Sequence, residues 1–337
     1  MIGAGYFAQF QAEAWKRLPA AEIVAVADSI AGKARAFAEK FSIARAYEFV
    51  DEMLDREKPD FVDIATRPES HLPLVKTVAQ RGIHVICQKP MAPTWDECVA
   101  MVETCERANV RLFIHENWRW QPWFRETKRL LDAELVGRPF QLSFFWRTGD
   151  GRGSEPYPLQ PYFRQMPRLL VYETLVHILD TFRFLGGEIA NVYCQNQRVN
   201  SAIIGEDQSL IQATFKTRVL GLIDGNRVSG SVPAPVAMGT MQLEGDRGVL
   251  RMSEDGRLHA RTHGSAGGPN QPEVTLAFEP PTLGYKGDSV FAAQKHLLEG
   301  LQTGRPSESD GREYLRTVAL VEACYRSAQT NTVISLD

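Results

Sequence analysis

The chain lacks most of the features that would shape a fold from outside a hydrophobic core. Its five cysteines (Cys87, Cys98, Cys105, Cys194 and Cys324) are odd in number and include no CxxC pair. That excludes a disulfide scaffold, argues against a zinc site, and fits reduced thiols in a cytoplasmic protein; no metal is expected. An excess of one charge is also missing, since 38 Lys and Arg against 41 Asp and Glu leave a net charge of −3. Nucleic-acid-binding domains carry a net basic face, so no nucleic-acid partner is expected. No apolar run approaches the ~20 residues of a membrane span. The opening MIGAGYFAQF has neither the charged start nor the apolar core of a signal peptide. There is no internal repeat and no low-complexity tract. With 44% hydrophobic and 23% charged residues, the composition is that of an ordinary globular chain, long enough for roughly two domains.

What is present is a change of rhythm. Residues 23–27 (IVAVA), 61–65 (FVDIA), 83–87 (IHVIC) and 111–114 are short apolar runs that read as buried strands. Between them, Ala34, Phe37, Ala38 and Phe41 recur at helical spacing, residues 71–82 read as a helix stopped by Gly82, and Thr94 caps a helix to about residue 108. Strand–helix alternation predicts a parallel sheet covered on both faces. After about residue 120 the period becomes two: Phe140, Leu142, Phe144 and Trp146 alternate with Gln141, Ser143, Phe145 and Arg147. Further strands are expected near 191–199, 209–217, 220–228, 238–244, 248–253 and 273–278. Turn signals join them at Asp224-Gly225-Asn226, Glu244-Gly245-Asp246 and Glu254-Asp255-Gly256. Helices are expected over about 168–185, 288–303 and 311–328. The pattern predicts an α/β domain (residues 1–118) followed by an α+β domain (residues 119–337) with a large open, mainly antiparallel sheet. Two loops interrupt the second part, 148–161 and 264–272, and the first is the better candidate for a lid.

Gly3-Ala4-Gly5-Tyr6-Phe7-Ala8 is a GxGxxA fingerprint. Gly3 permits a tight turn, Gly5 lets the backbone approach a pyrophosphate, and Ala8 lets the next helix pack close to the sheet. That helix would aim its first amides at the phosphates. Asp28, ending the next strand, can accept from both ribose hydroxyls and would repel a 2′-phosphate, which favours NAD over NADP. The alternative for Asp28 is a helix cap, a part Ser29 could also fill. Only Met1 and Ile2 precede Gly3, where a strand of ~5 residues is usual. The central strand is therefore expected to be truncated here, to begin upstream, or to be short.

Cys87-Gln88-Lys89-Pro90 lies just beyond the strand 83–87. Ligands bind at the carboxyl ends of parallel strands, where Lys89 could stabilise a developing alkoxide; a loop lysine is more often simply solvated. Thr66-Arg67-Pro68-Glu69-Ser70-His71 follows strand 61–65 at the same edge. Thr66 is placed to meet the nicotinamide half of a cofactor, and His71 either acts there or caps the next helix. Glu173, His177 and Asp180 are spaced to share one helix face, so that a carboxylate one turn before the histidine can orient its ring. A structural histidine is the alternative. In Asn117-Trp118-Arg119-Trp120-Gln121-Pro122-Trp123, indole faces beside amide and guanidinium donors suit a sugar, or else the tryptophans are core.

Together these residues resemble the Gfo/Idh/MocA family of sugar and polyol dehydrogenases. The resemblance spans nearly the whole chain: Gly3-Ala4-Gly5, Asp28, Ile64-Ala65-Thr66 with Pro68 and His71, Lys89-Pro90, Glu173 and His177, Glu244-Gly245 with Gly248, and Glu322-Ala323 in the closing helix. It implies a Rossmann domain that binds NAD through Gly3, Gly5, Tyr6, Phe7, Asp28, Thr66, Arg67, His71, Gln88 and Lys89. It implies Lys89 and His177 as the catalytic pair, with Glu173 beside His177. The substrate residues it implies are Lys89, Asn117, Trp118, Arg147, Arg164, Glu173 and His177. Two positions depart from the family pattern: Gln88 replaces a usual glutamate, and Glu173 stands where aspartate is common. Residues 115–123 resemble aldose dehydrogenases acting on small or branched sugars such as apiose.

The resulting expectation is NAD-dependent oxidation of a sugar or polyol hydroxyl, with no membrane partner. A homodimer or homotetramer is expected on the uncovered sheet face bearing Gln195, Gln197, Gln212, Thr214 and Lys216. Two alternatives stay open: a redox-neutral glycoside-processing enzyme that retains NAD, and a non-catalytic sugar or dinucleotide sensor.

Overall fold

The structure, a computed structural model, describes residues 1–264, 269–280 and 286–336. Residues 265–268 of the expected loop 264–272, and Asp337 of the expected second domain, lie outside the described residues. Two compact units form, Met1–Asn117 with Lys286–Val318, and Trp118–Tyr285 with Ala319–Asp337.

The first unit begins with α1 (Ala8–Lys16), β1 (Ala25–Ala27), α2 (Ala31–Phe41), β2 (Arg45–Tyr47), α3 (Val50–Glu57) and β3 (Phe61–Ile64). It continues with α4 (His71–Ala79), β4 (His84–Gln88), α5 (Trp95–Arg107) and β5 (Leu112–His115). β1 pairs with β2, β3 with β4, and β4 with β5, all parallel. Met1-Ile2-Gly3 joins the two sets. Ile2 donates to the Asp63 carbonyl (2.9 Å) and accepts from Ala65 (2.8 Å), while Gly3 donates to Ala27 (2.8 Å) and Ala27 to Met1 (3.0 Å). Three residues thus take the central strand position, paired on both sides. Val26, Ile64, Val85, Ile86, Phe113 and Ile114 are fully buried, as expected where helices cover both faces. Buried Asp63 is the polar exception; it accepts from the Gln11 amide (2.9 Å) and the Trp15 indole (2.6 Å), which ties α1 to β3. Thr94 caps α5 as expected, in a reciprocal capping box with Glu97.

The second unit holds α6 (Pro122–Asp132), β6 (Pro139–Arg147), a π-helical turn (Leu170–Leu175), α7 (Val176–Gly186), β7 (Ile189–Gln197) and β8 (Gln208–Phe215). β9 (Leu220–Asn226), β10 (Gly239–Gly245), β11 (Gly248–Met252), β12 (Leu258–Thr262) and β13 (Val274–Thr275) follow. The chain then forms α8 (Asp288–Thr303), α9 (Gly311–Thr330), which runs from the first unit into the second, and β14 (Ile334–Ser335). The sheet order is β13-β12-β11-β10-β6-β9-β8-β7-β14. Only β6–β9 is parallel among these pairs, so the sheet is large and mainly antiparallel. Asp224-Gly225-Asn226 is not the expected turn; it lies inside β9, where a Cβ on Gly225 would come within 2.9 Å of the Leu175 methyls. α7 covers one face, with Phe182 stacked on Phe215 at 6.1 Å. The buried Arg119 guanidinium grips Asp180 of α7 with two bonds of 2.7 Å. On the opposite face Gln195, Gln197, Gln212 and Lys216 are exposed and Thr214 half-buried.

Residues 286–318, assigned to the second domain by pattern alone, pack with the first unit. Leu297 and Leu298 of α8 join Trp15, Ile86 and Phe113 in one apolar cluster. Gln294 donates to the Gln11 carbonyl (3.2 Å), Ile114 donates to Ser309 (2.9 Å), and Arg111 pairs with Asp310 (2.9 Å).

Candidate active site

At the carboxyl edge of the parallel sheet the two fingerprint glycines have separate reasons. Gly3 has φ of +98°, and a Cβ there would sit 2.6 Å from the Ala65 carbonyl oxygen, so the protein itself demands glycine. Beside Gly5 nothing lies within 4 Å of a Cβ position. Its reason therefore lies outside the chain, in room for a ligand against the backbone. Phe7 precedes α1 and no side chain caps that helix, which leaves its amino end fit for phosphate. Asp28 accepts from the Ala4 amide and the Ile30 amide, at 2.9 Å each, one on each carboxylate oxygen. A carboxylate offers about four acceptor sites, so two ribose hydroxyls can still be served. Asp28 holds the bend before α2 but is not its N-cap; that position is Ile30, without a side-chain cap. These features fit a dinucleotide.

The loops after β3 and β4 are locked together. His71 does not cap α4, whose N-cap is Ser70. Its buried ring instead lies between two carbonyls, Met91 at 3.0 Å from Nδ1 and Thr66 at 3.2 Å from Nε2. Burial pushes its pKa below the ordinary value of 6.5, against the pull of those carbonyls. Thr66 accepts from Ser70 Oγ (2.7 Å), and Arg67 leads into the short turn Pro68–Ser70. The Lys89–Pro90 peptide is cis. The Gln88 side-chain oxygen accepts from the Lys89 amide (2.8 Å), while its buried Nε2 has no hydrogen-bond partner among the described residues. The same is true of the Tyr6 hydroxyl, whose ring packs edge-on against Phe10.

Further candidates belong to the second unit. Of Glu173, His177 and Asp180, Glu173 stands in the π-helical turn, and His177 and Asp180 stand in α7. Asp180 is taken by Arg119. His177, in the first turn of α7, stacks on Trp118 with ring centres 4.9 Å apart, and Trp118 meets Trp146 at 5.2 Å. Trp118, Trp120 and Trp123 are buried, so core packing is part of their role. Glu173 accepts from the Thr174 hydroxyl (2.9 Å) and lies 3.7 Å from Arg227. Arg147 donates to the Asp224 carboxylate and carbonyl at 2.7 Å each; Arg164 donates to the Pro156 carbonyl (2.8 Å) and pairs with Glu155. Asn117, in the first unit, donates to Ser289 (2.9 Å). Protein acceptors thus hold three of the proposed substrate side chains, Asn117, Arg147 and Arg164.

Sequence reasoning missed Arg227, Asp150 and Glu206. Arg227 pairs with Asp150 and donates to Thr174 (3.1 Å). Burial alone would raise the Asp150 carboxyl, but Arg227 outweighs it and holds the pKa below the ordinary range. Glu206 accepts from the Leu169 and Val171 amides at the start of the π-helical turn and from the Tyr325 hydroxyl. The loop after β6, the lid candidate, is therefore pinned through Asp150. No spacing rule links these residues to the partners they meet.

Residues 1–116 match the Gfo/Idh/MocA oxidoreductase pattern, described as an NAD-binding Rossmann fold, and residues 165–336 match its C-terminal alpha/beta domain. The chain is 36% identical to the D-apiose dehydrogenase of Paraburkholderia graminis, covering all of this chain and 88% of that one. It is 32% identical to the D-apiose dehydrogenase of Rhizobium rhizogenes, covering all of this chain and 96% of that one. A solved oxidoreductase from Agrobacterium radiobacter, in complex with NAD+, L-tartaric acid and magnesium, superposes with a TM-score of 0.90 at 31% identity, over 99% of this chain and 96% of that one.

The buried His71 ring gives a pH signature. Its folded pKa is depressed, so the stability it contributes is complete above its ordinary value of 6.5 and is lost as pH falls through that value toward the folded one. In urea unfolding, the advantage of the parent over His71→Leu should be largest at neutral pH and shrink on acidification. An advantage that grows as pH falls would contradict the assignment.

Proposed function

The chain belongs to the Gfo/Idh/MocA oxidoreductase family, and from that premise we propose that it is an NAD-dependent dehydrogenase of a sugar or polyol, with D-apiose as the leading substrate. The observation that carries the substrate is the full-length similarity to two enzymes named D-apiose dehydrogenase. L-tartaric acid in the Agrobacterium complex is a small hydroxy acid, and it adds that class to the substrates worth testing.

Gly3, Gly5, Tyr6, Phe7 and Asp28 would hold the pyrophosphate and adenosine ribose, and Thr66, Arg67, His71, Gln88 and Lys89 would line the nicotinamide end. When bound, NAD supplies the hydride acceptor. The protein's share is proton transfer and positioning. His177 takes the proton of the substrate hydroxyl as general base. Its ring is stacked on Trp118, which fixes the plane of the ring. Lys89 stabilises the negative charge that grows on the same oxygen. Glu173 orients His177. Asn117, Trp118, Arg147 and Arg164 are the further residues that the family resemblance offers to the sugar.

Lys89→Ala and His177→Ala should each lower turnover of D-apiose by ~100-fold or more, the scale of losing a general base or an oxyanion donor. NAD affinity, read by protein fluorescence, should stay as in the parent. The double variant should lose less than the product, since both groups serve one proton-transfer event. Full turnover in either single variant would refute the pair.

The exposed sheet face carrying Gln195, Gln197 and Gln212 is proposed as the assembly surface of a homodimer or homotetramer. Light scattering at micromolar concentration should read at least twice the single-chain mass of 37.8 kDa, and a single-chain mass would count against it.

A further inference from the structure

One buried side chain bonds both to the loop after β6, at Asp150, and to the turn that carries Glu173, at Thr174. Arg227 follows β9, and its side chain is 11% exposed. Its Nε donates to Asp150 Oδ1 (3.2 Å), its Nη2 pairs with Asp150 Oδ2, and its Nη1 donates to Thr174 Oγ1 (3.1 Å). Glu173 Oε2 lies 3.7 Å from Nη1 and accepts the Thr174 hydroxyl at 2.9 Å. The flat guanidinium also meets the rings of Tyr157 at 4.6 Å and Phe163 at 5.1 Å. Both aromatics belong to the segment between β6 and the π-helical turn, as does Asp150. Tyr157 adopts φ of +59°, a left-handed conformation that a bulky residue keeps only where its surroundings enforce it.

We propose that Arg227 is a positioning residue for the reaction: it fixes the Glu173 carboxylate, directly and through Thr174, and braces the 148–166 segment against the same turn. The inference rests on the reading that Glu173 orients His177. Four features support it. Two carboxylates face this cation, Asp150 with 35% and Glu173 with 12% of its side chain exposed, so without it they would repel one another where water screens them only in part. Asp150 alone neutralises the Arg227 charge, so the approach of Glu173 is not needed for charge balance. Arginine also suits the position beyond its charge, since only a planar fork can bond in two directions while its faces lie against aromatic rings. Glu173 stands in the π-helical turn that precedes α7, and Arg227 and Thr174 both meet its carboxylate. π-helical turns commonly mark such functional positions.

The test is a double-mutant cycle in the full-length protein, using D-apiose and NAD as substrates. Arg227→Met should lower kcat by ~10- to 100-fold, the scale of a misplaced catalytic group, with the NAD affinity of the parent. In a Glu173→Gln background the same change should add little, because the carboxylate it holds has been removed. Arg227→Lys keeps the charge but not the fork and should recover only part of the turnover. Parental kcat in Arg227→Met, or an equal loss with and without Glu173, would overturn the proposal and leave Arg227 as a brace of the loop alone. If Arg227→Met does not fold, Arg227→Lys against Arg227→Gln makes the same comparison, and equal turnover in those two would overturn it. Parental turnover in Glu173→Gln by itself would overturn the reading of Glu173, and this inference with it.

Discussion

The first unit depends on one close approach. Gly3 passes so near the Ala65 carbonyl that any side chain would collide with it. The backbone there pairs with β1 on one side and β3 on the other within three residues. That double pairing brings the loops after β1, β3 and β4 to one edge. It sets the Ala4 amide against Asp28 and opens the space beside Gly5. The dinucleotide cradle is thus a consequence of strand pairing, with the glycines answering two different demands. His71 extends the same logic along the edge, tying the Thr66 loop to the Lys89-Pro90-Met91 turn with one ring.

The second unit is organised by buried charge. Arg119 and Asp180 neutralise each other between the turn Trp118–Trp120 and α7. Arg227 gathers Asp150 and Glu173, and Glu206 gathers backbone amides and a tyrosine hydroxyl. Breaking such pairs leaves a lone charge in a poorly solvated place, which costs ~3–5 kcal/mol. These pairs therefore specify the packing more than they strengthen it. His177 stacks on Trp118 beside them.

The parallel strands were legible because they are buried on both faces and read as unbroken apolar runs. The α5 start was legible because Thr94 and Glu97 form a local motif. β2, with the sequence RAY and partly exposed, carries no such signal. α6 hides behind Pro122 and a cluster of aromatics. Residues 286–318 read correctly as helices, but an apolar helix face does not say which core receives it. Leu170, Leu175, Ile178 and Phe182 suggest one continuous helix; the π-helical turn changes the register without changing which residues are apolar. Of the site, the fingerprint, Lys89 and His177 were readable as motifs. Arg227 was not, since its role depends on a loop, a strand end and a turn far apart in sequence.

The central claim is that the chain removes hydride from a sugar carbon and hands it to NAD. The most direct measurement uses D-apiose deuterated at its anomeric carbon and, in parallel, at its other carbinol positions. The account predicts net NADH formation, with deuterium from one of these positions recovered at the nicotinamide C4. Deuterium that stays in the sugar or washes into water, with no net NADH from any polyol or hydroxy acid that binds, would contradict it.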